Sequence, residues 1–198
     1  MRTLGILTLA ALIGALSPPV VSADKTAEPK TREVKVDALK LTVPVAWKQM
    51  KPSNRLRKAQ FEVPAVKGDA GNVDLVIYEF SGGGGGVGAN ITRWIKQFQA
   101  KGRKAKITRG EAPQGRYVFV DITGTYNKPI GPPIRRMTKA LPDARMLAVI
   151  LVVTKARKVY YLKFAGGAKT VSANAAAIRA SFGADASKEK ELKLPAGG

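Results

Sequence analysis

Two spacings of apolar residues divide the chain. Over most of its length apolar positions recur at every second residue, as on one face of a strand. Leu39, Leu41 and Val43 alternate with Lys40 and Thr42 until Pro44 closes the run, and Trp47 follows as a buried anchor. A short strand is predicted at 59–63, ended by Pro64. In 73–80 (VDLVIYEF), Val73, Leu75 and Ile77 share one face, while Val76, Tyr78 and Phe80 share the other. Both faces of that strand are expected to meet core. A weaker strand pattern covers 104–109. In 116–126 (RYVFVDITGTY), Val118, Val120 and Ile122 line one face. The stretch 145–154 (RMLAVILVVT) is almost wholly apolar, as in a central strand covered on both sides. The stretch 158–164 (KVYYLKF) follows so soon that the two predict an antiparallel hairpin.

Two segments show helical spacing instead. Ile91, Trp94, Ile95 and Phe98 fall at i, i+3, i+4 and i+7, with Arg93, Lys96 and Lys101 off that stripe. Asn90 is placed to cap the helix and Gly102 to stop it. A second helix is expected after Thr170, with Val171, Ala175, Ile178 and Phe182 as its stripe and Gly183 as its stop. The predicted fold class is α+β: a mainly antiparallel β-sheet flanked by helices on both faces, an α/β/α sandwich. No alternation of strand and helix calls for a parallel sheet.

The termini read differently. After Arg2, residues 4–16 run apolar; Ser17-Pro18-Pro19 break the run, and Val21-Ser22-Ala23 offer the small residues a signal peptidase reads. The run is shorter than the ~20 residues a spanning helix needs. A secretory signal peptide at 1–23, cut near Ala23, is expected, with the mature chain periplasmic or secreted. Residues 24–32 (DKTAEPKTR) lack core formers and predict a flexible linker; 184–198 (ADASKEKELKLPAGG) predict a disordered tail. One domain at 33–183 remains. With no cysteine, packing rather than disulfides must stabilise it, and no lipid anchor has an attachment point near the cleavage site.

Charge narrows the partners. The 34 Lys and Arg against 14 Asp and Glu give +20, spread along the chain. Outside the cytoplasm such a surface matches an acidic protein or an anionic envelope polymer, with no specific nucleic acid expected. The cations singled out for docking are Arg93, Lys96, Arg103, Lys104, Arg135 and Arg136. The last two end a proline-stiffened loop, 126–136 (YNKPIGPPIRR).

Catalytic chemistry is narrowed further. Histidine and cysteine are absent, which removes Ser-His-Asp and Cys-His nucleophile systems and zinc sites built on those residues. Neither a catalytic residue nor a metal ligand is assigned, and no cofactor is implied. A glycine loop with Gly82, Gly84, Gly86 and Gly88 runs from a strand toward Asn90 and a helix, where free backbone N–H groups favour an anion. It lacks the Lys-Ser or Lys-Thr pair of a P-loop. The leading expectation is a non-enzymatic exported accessory or binding domain that docks through its basic surface. One alternative is a small-ligand or anion pocket near the Gly82–Gly88 loop. The other is a hydrolase using acidic residues, with Glu79 and Asp121 as the strand-borne pair.

The order of these parts resembles the PsbP-like α/β/α sandwich domains. The resemblance rests on LKLTVPVAWK (39–48), the glycine loop entering GANITRWIKQF (88–98), RMLAVILVV (145–153) and VYYLKFAGGAKTV (159–171). The same string of motifs is similar to secreted bacterial proteins of planctomycete type. It spans about residues 38–183. It implies the sandwich fold and a non-enzymatic accessory role on a larger complex, as in the lumenal photosystem members. None of their metal-related residues maps onto this chain, and the strong basic charge departs from them.

Overall fold

The structure is a computed structural model that describes residues 30–80, 85–131 and 133–193. The expected signal peptide lies outside the described residues, as do Gly82 and Gly84 of the glycine loop.

The chain opens with a hairpin of β1 (Thr31–Val36) and β2 (Leu39–Pro44). Its turn is Asp37-Ala38, with Asp37 at φ 52, a left-handed conformation that short polar side chains tolerate. Eight further strands form one sheet: β3 (Lys48–Met50), β4 (Arg57–Val63), β5 (Val73–Glu79), β6 (Lys104–Ala112), β7 (Gly115–Pro129), β8 (Thr138–Val153), β9 (Lys158–Gly167) and β10 (Lys190–Glu191). Their spatial order is β10-β6-β7-β8-β9-β5-β4-β3. Every neighbouring pair is antiparallel, as the alternating pattern predicts. The helices are α1 (Val87–Ile95), α2 (Ala168–Ala173) and α3 (Ala175–Ser181).

Period-two alternation sends successive residues to two separate core clusters. Leu147, Val149 and Leu151 of β8 join Leu75 and Ile77 of β5 and Phe119 of β7 in the first cluster. Leu39, Leu41 and Val43 of β2, Trp47, and Val171, Ile178 and Phe182 of the C-terminal helical segment complete it. The intervening Met146, Ala148 and Ile150 join Val120 and Ile122 in the second, with Ile91 and Trp94 of α1 and Phe98. The apolar run in β8 is therefore a strand with core on each side. Gly115 opens β7 where only glycine fits: at φ 148, a Cβ would run into the Val152 carbonyl oxygen.

Several expectations are corrected. The linker predicted at 24–32 ends sooner, because Thr31 and Arg32 already pair in β1, and Arg32 Nη2 donates to the Trp47 carbonyl at 3.0 Å. The tail predicted at 184–198 holds regular structure in its described part: β10 pairs with β6, and the Glu189 side chain packs against Arg179. Asn90 is not the N-cap. Gly86 holds that place, and Asn90 lies one turn inside α1, where its amide donates to the Gly86 carbonyl at 2.7 Å. The helix stops at Ile95 rather than near Gly102, because Phe98 turns away to bridge Tyr126. The second helix is two, broken at Asn174.

Strands β7 and β8 outrun their neighbours. Pairing of β6 with β7 ends at Thr123, and that of β9 with β8 ends at Ala144. The β7–β8 pairing continues to Pro129↔Thr138. Past a bulge between Gly124 and Tyr126, and past the Phe98 bridge to Tyr126, the two strands run on from residue 128 as a two-stranded arm.

Candidate functional site

Four residues at helical spacing, Asn90, Arg93, Trp94 and Gln97, hang from α1 and its last turn over strands β5 and β9. Tyr78 lies opposite Tyr161 in the β5–β9 pairing, and Val76 lies opposite Lys163. Tyr161 and Lys163 are two apart on one strand and so share a face. With Phe80, these side chains enclose an open cleft of about 170 Å³. Aromatic rings build its walls. Tyr78 stacks on Phe80 at 5.9 Å, Phe80 tilts onto Tyr161 at 5.7 Å, and Trp94 meets Tyr161 edge-on at 6.4 Å.

The charge in this cleft is one-sided. Its lining holds two cations, Arg93 and Lys163, and no carboxylate. The Lys163 ammonium is half-buried; it donates to Gln97 Oε1 at 2.6 Å and to the Tyr126 hydroxyl at 3.1 Å. It also sits 5.3 Å from the centre of the Tyr126 ring. Burial, helped by repulsion from Arg57 and Arg93, pulls its pKa down from 10.5 to about 8. Burial, with a smaller push from Tyr78, raises the neighbouring Tyr126 to about 12. Arg93 stands at the rim and donates to Asn90 Oδ1. Arg57 of β4 adds to the positive field, and its Nε is buried without a hydrogen-bond partner. Such an arrangement attracts a negative group and gives an apolar body ring faces to lie against.

The structure disperses the other residues singled out from the sequence. Gly86 and Gly88 stand at the cap and first turn of α1, beside the cleft that Asn90 and Arg93 line. Lys96 and Lys104 are exposed, at the end of α1 and the start of β6. Arg103 is spent on the scaffold: its Nη1 donates to the carbonyls of Ile95 and Phe98, at 3.2 and 3.0 Å, where α1 runs out of partners. Arg135 and Arg136 are exposed at the end of the arm. Glu79 and Asp121 do not face one another. They lie on β5 and β7, with β9 and β8 between, and each holds a cation: Glu79 sits 3.7 Å from Lys58 and Asp121 2.6 Å from Arg145. Among the described residues no group of three or more acids gathers as a metal site.

Sequence reasoning missed Lys163. The signal was present in KVYYLKF, where a lysine shares a strand face with Tyr161 and is flanked by apolar residues.

No protein-family model and no curated protein matches the chain. Its antiparallel sheet domain is similar to the solution structure of cyanobacterial PsbP (CyanoP) from Synechocystis sp. PCC 6803. The TM-score is 0.46 at 11% identity, over 86% of this chain and 98% of that one. That is the family named by the sequence resemblance. The likeness is one of chain path, and no chemistry is carried over from it.

Proposed function

We propose that the chain is a non-catalytic binding domain working outside the cytoplasm, and that its binding element is the cleft beside α1. In this reading the sheet is layered between α1 on one face and α2 with α3 on the other. The ligand is a small organic anion with an apolar, planar body. One observation carries the proposal: Lys163 keeps a half-buried ammonium beside Arg93, with no carboxylate in the cleft to offset it. A bound carboxylate or phosphate would relieve that repulsion, and the rings of Tyr78, Phe80, Trp94 and Tyr161 would cover its body.

Calorimetric titration with benzoate, acetate and inorganic phosphate tests this. Benzoate is expected to bind more tightly than acetate, and Lys163→Met and Arg93→Gln are each expected to weaken it by about tenfold or more. Benzoate heats that survive both substitutions, or no heat from any of the three at millimolar concentration, would reject the cleft as the binding element. Docking on an acidic protein or envelope polymer is the second reading. It is favoured by the exposure of Lys96, Lys104, Arg135 and Arg136, and predicts a complex that salt dissolves.

A further inference from the structure

The arm formed by β7 and β8 carries a surface of its own. Residues 128–131 and 134–140 are all exposed. Beyond Pro129↔Thr138 the ribbon is closed by the Ile130 amide donating to the Met137 carbonyl at 2.9 Å. Its tip is a short 3-10 turn, Pro133–Arg135. Ile134 stands there at 90% exposure, with Met137 at 46% and Ile130 at 39%. Among the described residues the other exposed large apolar side chains, Val45, Leu56 and Val87, lie on other segments, so the tip gathers half of them. Around it stand Lys128, Arg135, Arg136 and Lys139, and no acid occurs between Asp121 and Asp143.

We infer that this arm docks the protein on an anionic lipid surface, with Ile134, Met137 and Ile130 entering the interface and the four cations meeting headgroups. Charge complementarity selects an anionic partner. The apolar tip then selects lipid. A soluble polyanion has no use for a nearly fully exposed isoleucine, whereas a bilayer boundary buries apolar tips beneath a cationic rim. A folded acidic protein is the weaker match, because a stable interface covers about 800 Å² on each partner and the tip is two strands wide. Among the described residues no helix is long and apolar enough to cross a membrane.

Vesicle sedimentation tests the inference, using phosphatidylglycerol–phosphatidylcholine vesicles and pure phosphatidylcholine vesicles with the purified full chain. Binding is expected to the mixed vesicles only. Arg135→Gln with Arg136→Gln is expected to weaken it roughly 30-fold, from the loss of two charges near the surface. Ile134→Asn is expected to weaken it by about tenfold or more, from one lost apolar contact. The control, Lys101→Gln with Lys155→Gln, removes the same charge from exposed sites off the arm and is expected to change binding little. Three results would overturn the inference. The first is binding unchanged by Ile134→Asn, which marks simple electrostatic adsorption. The second is equal losses in the arm and control variants, which marks whole-molecule charge. The third is capture by soluble dextran sulfate without capture by the mixed vesicles.

Discussion

Lys163→Met separates what the cleft costs the fold from what it contributes to binding. In the folded chain the ammonium titrates at about 8 instead of 10.5. At neutral pH the lysine is charged in both folded and unfolded chains, so the folded state bears the full cost of burying and crowding the charge. One pKa unit corresponds to about 1.4 kcal/mol, which puts that cost at about 3 kcal/mol. Between the two pKa values the unfolded chain binds more protons than the folded one. Wild-type stability from this group therefore rises with pH through that window and levels off above it. Methionine keeps the unbranched stem and removes the charge. It also strips Gln97 Oε1 and the Tyr126 hydroxyl of a donor, at about 1 kcal/mol each. The variant is expected to be about 1 kcal/mol more stable than wild type at neutral pH and about 2 kcal/mol less stable above the window. Urea unfolding followed by tryptophan fluorescence, repeated over a series of pH values, measures the difference, in which all other titrations cancel. A difference that stays flat from pH 8 to 10.5 would refute the reasoning, because the Lys163 ammonium would then feel neither burial nor Arg57 and Arg93.

The C-terminal segment offers a second test. Burial pushes the Glu189 carboxyl up, but hydrogen bonds from Arg179 and Thr108 outweigh it and hold its pKa below the usual range. The stability it contributes is present above the unfolded pKa and lost as pH falls through the folded one. Glu189→Gln is expected to cost about 3 kcal/mol at neutral pH, with the deficit closing in acid. It should also speed exchange of the Leu192 amide, which donates to the Ile107 carbonyl at 2.9 Å. Gly115→Ala forces a Cβ toward the Val152 carbonyl at a positive φ, and a loss of about 3 kcal/mol or more is expected in thermal unfolding.

Strands were legible wherever alternation was strong. The stretches at 73–80, 116–126, 145–154 and 158–164 fall on observed strands, the first and third overrunning theirs by one residue, and the last two pair as the expected hairpin. What escaped was held by partners distant in sequence. The charged stretch containing Thr31 and Arg32 becomes strand because Arg32 reaches the Trp47 carbonyl and β2 supplies the ladder. The Lys- and Glu-rich tail orders because Glu189 meets Arg179, Thr108 and Tyr117. Composition cannot distinguish such an acid from a solvated one. Of the residues that line the proposed cleft, the sequence had singled out Asn90, through the glycine loop, and Arg93, on the helix face; Asn90 sits inside α1 instead of capping it. Lys163 was hidden because its cleft is completed by α1, some 70 residues earlier in the chain.

A net charge of +20 is a property of the whole chain, and packing decides where it becomes usable. Much of the acid is spent on the scaffold. Asp37 and Glu79 hold Lys58, Asp121 holds Arg145, Glu189 holds Arg179, and Asp69 accepts the Thr170 amide at 2.6 Å. Six of the surplus cations stand in two places without acids: Arg93 and Lys163 in the cleft, and the four Lys and Arg of the arm. Solubility explains neither place. A lysine that serves solubility needs no burial, yet Lys163 is set among rings and beside other cations at a cost to folding. Solubility likewise disfavours an exposed isoleucine, yet Ile134 stands bare at the arm's tip between basic neighbours. In both places the fold carries a feature that is unfavourable in the free protein. On the proposed reading each becomes favourable once a negatively charged partner arrives, and the positive charge there is positioned for binding.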